Sequence, residues 1–102
     1  MADTRSLMQE VAPKLASLTS DVLFGDVWER PELSKRDRSL ITIAILMATY
    51  RTDQLHGHLG RALDNGVTQE EITEVITHTA FYGGWPTAAN AVRVAKDVFD
   101  AR

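Results

Sequence analysis

Residues 40–48 read Leu-Ile-Thr-Ile-Ala-Ile-Leu-Met-Ala, a stretch apolar almost all round within a chain of 102 residues. A helix that is apolar on every face is a central helix, covered on several sides by its own domain or by another subunit. The stretch is far too short to cross a bilayer as a helix. Ser34 is placed to cap this helix, with Asp37 three residues on as the acidic partner of a capping box and its charge favoured in the first turn. The expectation is a central helix over about 34–50, buried on most sides.

The other segments are also helical in period. Leu7, Val11, Leu15, Leu18, Val22 and Leu23 recur at helical spacing, and Pro13 should start or kink a helix there, so a helix is expected over about 13–23. Gly25 and Pro31 bracket a short turn carrying Trp28, a side chain suited to packing and, less simply, to ligand contact. Thr52 and Asp53 open a helix whose buried stripe is Leu55, Leu59, Ala62 and Leu63, and Asn65-Gly66 closes it. Thr68 and Glu71 form a capping box before Ile72, Val75, Ile76, Thr79 and Ala80. From Pro86 a last helix turns Ala88, Ala89, Val92, Ala95 and Phe99 inward. No segment reads as a strand. The expected fold is a single-domain, all-α bundle of about five helices occupying residues 1–102.

Composition removes several functions. Without cysteine there are no disulfides, thiolate metal sites or cysteine nucleophiles. The formal charge of −3 comes from 14 acids and 11 bases with no basic block, which gives no footprint for nucleic acid. The amino terminus is polar with no apolar region after it, so the expected protein is soluble, cytoplasmic and free of membrane contact.

Polar aromatics concentrate at residues 77–90, where Gly83 and Gly84 break one helix and Pro86 suits the first turn of the next. His78 and Tyr82 stand four apart and share a helix face, with Glu74 one turn earlier; the alternatives are a Glu-His pair that tunes the imidazole and a surface salt link. Backbone N–H groups at the new helix start, beside His78, Tyr82 and Trp85, are a candidate wall for an anion pocket, as against an ordinary inter-helix turn. His56 and His58 cannot share a metal ion, because positions i and i+2 on a helix point about 200° apart. His58 lies at the edge of the apolar stripe, where structural and functional histidines both occur. Arg38 precedes the apolar run, either solvated or aimed at a carboxylate.

Five blocks in order resemble the carboxymuconolactone decarboxylase family: Phe24-Gly-Asp-Val-Trp-Glu-Arg-Pro, Arg38-Ser-Leu-Ile-Thr-Ile-Ala, His58 with Ala62-Leu-Asp-Asn-Gly-Val-Thr, Glu71-Ile-Thr-Glu-Val-Ile-Thr-His, and Tyr82-Gly-Gly-Trp-Pro. The resemblance covers roughly residues 23–99. It implies an alkylhydroperoxidase-D-like helical fold and a symmetric homo-oligomer, a trimer or hexamer. The family's thiol branch carries Cys-x-x-Cys-x-x-x-His; if His58 is that histidine, the cysteine positions are Arg51 and Gln54, and thiol peroxidase activity is rejected. The decarboxylase branch typically has glutamate where this chain has Gln54, and full-length decarboxylases extend further at the amino end.

The resemblance implies decarboxylation of a small carboxylated lactone in aromatic-compound catabolism, with no cofactor and no metal. Loss of CO2 leaves a carbanion conjugated to the lactone carbonyl, so the substrate is its own electron sink. The protein must hold the second carboxylate, stabilise the enolate oxygen and deliver a proton. His58, His78 and Tyr82 are the candidate proton donors; Arg38 suits the retained carboxylate, and Trp28 and Trp85 suit dry walls. The alternative is a non-catalytic small-molecule-binding or assembling relative, favoured by Gln54 and by the shorter amino end.

Overall fold

Each cap signal and apolar stripe becomes a helix in the structure, a computed structural model that describes residues 4–102. Among the described residues six α-helices follow one another: α1 (Thr4–Val11), α2 (Pro13–Leu18), α3 (Lys35–Ala48), α4 (Thr52–Asp64), α5 (Gln69–Tyr82) and α6 (Trp85–Asp100). No strand occurs among the described residues, and the fold is all-α as the periodicity requires. The extra helix arises at Pro13. Lacking an N–H, it begins a new helix and leaves residues 4–11 as a helix of their own. Beyond α2 the expected continuous helix widens into a π-helical turn, Thr19–Phe24, and a 3-10 turn, Val27–Glu29, follows.

The chain divides into two compact units, one ending at Ser34 and the other Lys35–Arg102. In the first, α1 packs on α2 and α2 on the π-helical turn. Its aromatic residues form a small cluster: the Arg5 guanidinium lies 5.0 Å from the centre of the Phe24 ring, and Phe24 and Trp28 are 5.8 Å apart. A guanidinium over an aromatic face is held by the ring's quadrupole.

The second unit is a four-helix bundle. Ile43 and Met47 of α3, Leu55 and Leu59 of α4, and Ile72 of α5 are its most deeply buried large side chains, and Ala88, Ala91 and Ala95 let α6 approach closely. Helix α3 packs on α4, α5 and α6; α6 in turn packs on α4 and α5. That centrality agrees with the apolar run, but the degree of burial does not. Only Ser39, Ile43 and Met47, one stripe at four-residue spacing, are buried, while Ile41 is 47% and Ile45 55% exposed. Three partner helices cover one side of α3, and the unit has no further helix for the other.

Two polar clamps hold the start of α3. Arg36 makes an ion pair with Glu71 of α5, and Asn65, which closes α4, donates from Nδ2 to Ser39 Oγ at 3.0 Å. The capping box of α5 forms as expected, with the Glu71 N–H donating to Thr68 Oγ1 at 3.1 Å and the Thr68 N–H to Glu71 Oε1 at 3.0 Å.

Candidate functional site

The buried stripe of α4 decides where its polar residues go. Leu55, Leu59 and Ala62 face the core, which leaves His58 half-buried at the stripe's margin and His56 exposed. Nδ1 of His58 is out of contact with solvent. Burial pushes the imidazole below its ordinary pKa, and the charge of Arg61, one turn further along α4, pushes it the same way. The folded chain therefore favours the neutral imidazole. Arg61 is half-buried too and was absent from the sequence-based site; its three-residue spacing from His58 was the available signal.

Arg38 occupies the first turn of α3, half-buried, with Nε shielded from solvent; Thr42 Oγ1 donates to its carbonyl at 2.8 Å. Trp28 belongs to the other unit, where it is 8% exposed and packed against Phe24, so packing accounts for it.

On α5, Glu74 and His78 lie on one row, as the spacing requires, and both line a cavity of about 410 Å³ between α3 and α5 with Leu40, Ala44 and Val75. Glu71 is at the same cavity. Two carboxylates beside His78 disfavour an anion there, Glu71 being offset by Arg36 and Glu74 remaining. The His78 ring stacks on Tyr82 with centroids 4.6 Å apart.

At the helix break, Gly84 has φ of 104°, a conformation that glycine adopts without the penalty of a side chain, and Pro86 enters the first turn of α6 as expected. The anion wall expected here is not realised in its simple form. Pro86 has no N–H, and the Thr87 N–H donates to the Gly84 carbonyl at 3.2 Å, as does the Thr87 hydroxyl. Tyr82 is 82% and Trp85 66% exposed, so neither encloses a dry cavity within the single chain. Trp85 meets Phe81 edge to face at 5.5 Å, beside an apolar groove between α5 and α6 whose two cavities, about 330 and 230 Å³, share Ile76, Thr77 and Val92.

His58 and His78 are not brought together within the chain. Helices α4 and α5 each pack on α3 and α6, and α3 and α6 also touch across the bundle, which keeps α4 and α5 on opposite corners. Among the described residues, no group of three His, Asp or Glu side chains is arranged to hold a metal ion. No helix there is long and apolar enough to cross a membrane.

The described residues form helices and no strand, the all-α architecture of the alkylhydroperoxidase-D-like fold that goes with the family match. The chain belongs to the carboxymuconolactone decarboxylase family, which it matches over residues 13–97. It is 45% identical to a 4-carboxymuconolactone decarboxylase of Acinetobacter baylyi over 76 residues, 74% of this chain and 57% of that protein. With a nitrosuccinic acid decarboxylase of Metarhizium robertsii it shares 35% identity over 79 residues, 78% of this chain and 55% of that one. The chain thus spans little more than half the length of these curated relatives.

Proposed function

We propose that the chain is a decarboxylase-like carboxy-lyase acting on a small carboxylated lactone, with His58 as proton donor and Arg61 and Arg38 as carboxylate-binding groups. The observation that carries this reading is His58, half-buried at the margin of α4 beside Arg61, where burial first and the Arg61 charge second push the imidazole below its ordinary pKa. An incoming carboxylate offsets the Arg61 charge and so raises the imidazole's proton affinity. Substrate binding thereby loads the acid that the carbanion needs. The C–CO2 bond then breaks, its electron pair moves into the lactone carbonyl system, and the His58 proton passes to carbon; solvent reprotonates the imidazole.

The two relatives are both decarboxylases and differ in substrate, a carboxymuconolactone against nitrosuccinic acid. The class proposed here is therefore a small acid that supplies its own electron sink, with a carboxylated lactone of aromatic-compound catabolism as the specific reading. His78 and Tyr82, stacked on α5, are assigned to the site through a neighbouring subunit, because α5 does not pack on α4 within the chain, and Trp85 is assigned with them.

We assign the chain to one carboxymuconolactone decarboxylase-like domain, because the family match runs through both compact units. A cytoplasmic homo-oligomer, trimer or hexamer, is part of the proposal. Its support is the exposed apolar set Ile41 and Ile45 on α3 with Phe81, Trp85 and Val92 along α5 and α6. The second reading, a non-catalytic binder, draws on Gln54, which is exposed near the start of α4. The deciding experiment follows CO2 release and loss of ultraviolet absorbance from 4-carboxymuconolactone with and without the protein. No release above the uncatalysed rate, under conditions where an isotherm still records binding, favours the binder.

A further inference from the structure

Helix α4 ends on Asn65-Gly66, a pair in which no side chain shields the second residue's nitrogen. Gly66 is exposed, has φ of 98°, and a Cβ built there would meet nothing within 4 Å. The chemistry open to such a pair is intramolecular. The Gly66 backbone nitrogen attacks the Asn65 side-chain carbonyl carbon, a five-membered imide closes, and the side-chain nitrogen leaves as ammonia with the proton that Gly66 gives up. Water then opens the imide at either carbonyl, giving aspartate or isoaspartate.

In the fold both reacting groups are engaged elsewhere. The Gly66 N–H donates to the Leu63 carbonyl at 3.1 Å and the Val67 N–H to the Ala62 carbonyl at 2.9 Å, the paired bonds of a Schellman closure. The Asn65 side-chain amide donates to Ser39 Oγ at 3.0 Å, and Ser39 is 1% exposed. Val67, 2% exposed, anchors the turn in the core. Reaction therefore requires the turn to open and the amide to leave α3 together.

We infer that Asn65-Gly66 is a deamidation site gated by Ser39, whose hydroxyl holds the Asn65 amide away from the attacking nitrogen. The product fits the clamp less well than the amide it replaces. A carboxylate cannot donate to Ser39, so the bond must reverse with the Ser39 hydroxyl donating; the new charge opposes the negative end of the α4 dipole, and isoaspartate adds a methylene to the backbone at the turn. Ser39 follows Arg38 directly, so the modification loosens the start of α3 where that arginine sits.

The test is peptide mass mapping of folded protein incubated at mildly alkaline pH, scoring amide-to-acid conversion and isoaspartate at Asn65. Wild type should convert more slowly than a synthetic peptide of residues 61–70. Ser39→Ala should convert about five- to ten-fold faster than wild type while keeping its helical circular dichroism, the factor expected when one buried hydrogen bond no longer opposes local opening. Wild type converting at the peptide's rate overturns the proposal, as does folded Ser39→Ala converting at the wild-type rate. Should Ser39→Ala lose its helical signal, Ser39→Cys takes its place, keeping the side-chain volume while weakening the acceptor, and the same two rates decide.

Discussion

Arg61 stands one helical turn after His58 on the half-buried edge of α4, and its charge adds to burial in opposing protonation of that imidazole. If the pair works as proposed, an anionic substrate is both the ligand of Arg61 and the agent that lets His58 take up its proton. Arg61→Gln should raise KM for a carboxylated substrate by roughly 10- to 100-fold, the scale of a hydrogen bond to a charged group. It should also move the kcat/KM pH limb upward, toward the ordinary histidine value. Steady-state kinetics across pH, with a KM that stays at the wild-type value, would remove Arg61 from the site.

His58→Ala should lower turnover by about 10²-fold or more, the usual scale for losing a general acid, with the thermal midpoint little changed. His56→Ala, on the exposed side of the same helix, should change neither. Paired kinetic and thermal measurements check both. If His58→Ala unfolds the protein with no selective loss of rate, the histidine is structural.

The same imidazole makes stability depend on pH. Its folded pKa is below the ordinary 6.5, by burial first and Arg61 second, so between the two values the unfolded chain binds more protons at this site than the folded chain. Stability from this group is complete above about 6.5 and is lost as pH falls through the folded value. Urea midpoints measured from pH 7.5 downward, about one unit past that ordinary value, should fall more steeply for wild type than for His58→Asn. Parallel curves for the two proteins would contradict the assignment.

Glu71 serves both the capping box of α5 and the ion pair with Arg36. Glu71→Gln keeps a capping-box side chain and loses only the charge, at a cost of less than about 1 kcal/mol for a half-exposed pair. Glu71→Ala loses both functions and should cost about 1–2 kcal/mol. Chemical denaturation of the two variants separates the terms, and equal losses would mean that the cap contributes nothing.

Ile45 of α3 and Val92 of α6 are more than half exposed in the chain. In the proposed oligomer one or both are covered, so Ile45→Glu or Val92→Glu should reduce the assembled mass seen by light scattering. A wild-type chain that scatters as a monomer at micromolar concentration would dispose of the assembly.

The helices were legible because their determinants are local. Apolar period, the Thr68 to Glu71 capping box, the glycine after Asn65 and the proline at the start of α6 act within a turn or two of chain, and each does what its chemistry requires. Pro13 was read correctly as an interruption, yet the π-helical turn behind it follows from no spacing rule. The histidines divided along the same line. That His56 and His58 point apart is helix geometry, settled by the sequence itself. That His58 and His78 sit on helices at opposite corners of the bundle is a matter of which helices pack together. It was decided by α3 and α6 meeting across the bundle, a contact between segments far apart in the chain. The partnership of Ser39 with Asn65 and of Arg36 with Glu71 has the same origin. Periodicity tells which face of a helix is buried, and only the packed structure tells what that face is buried against.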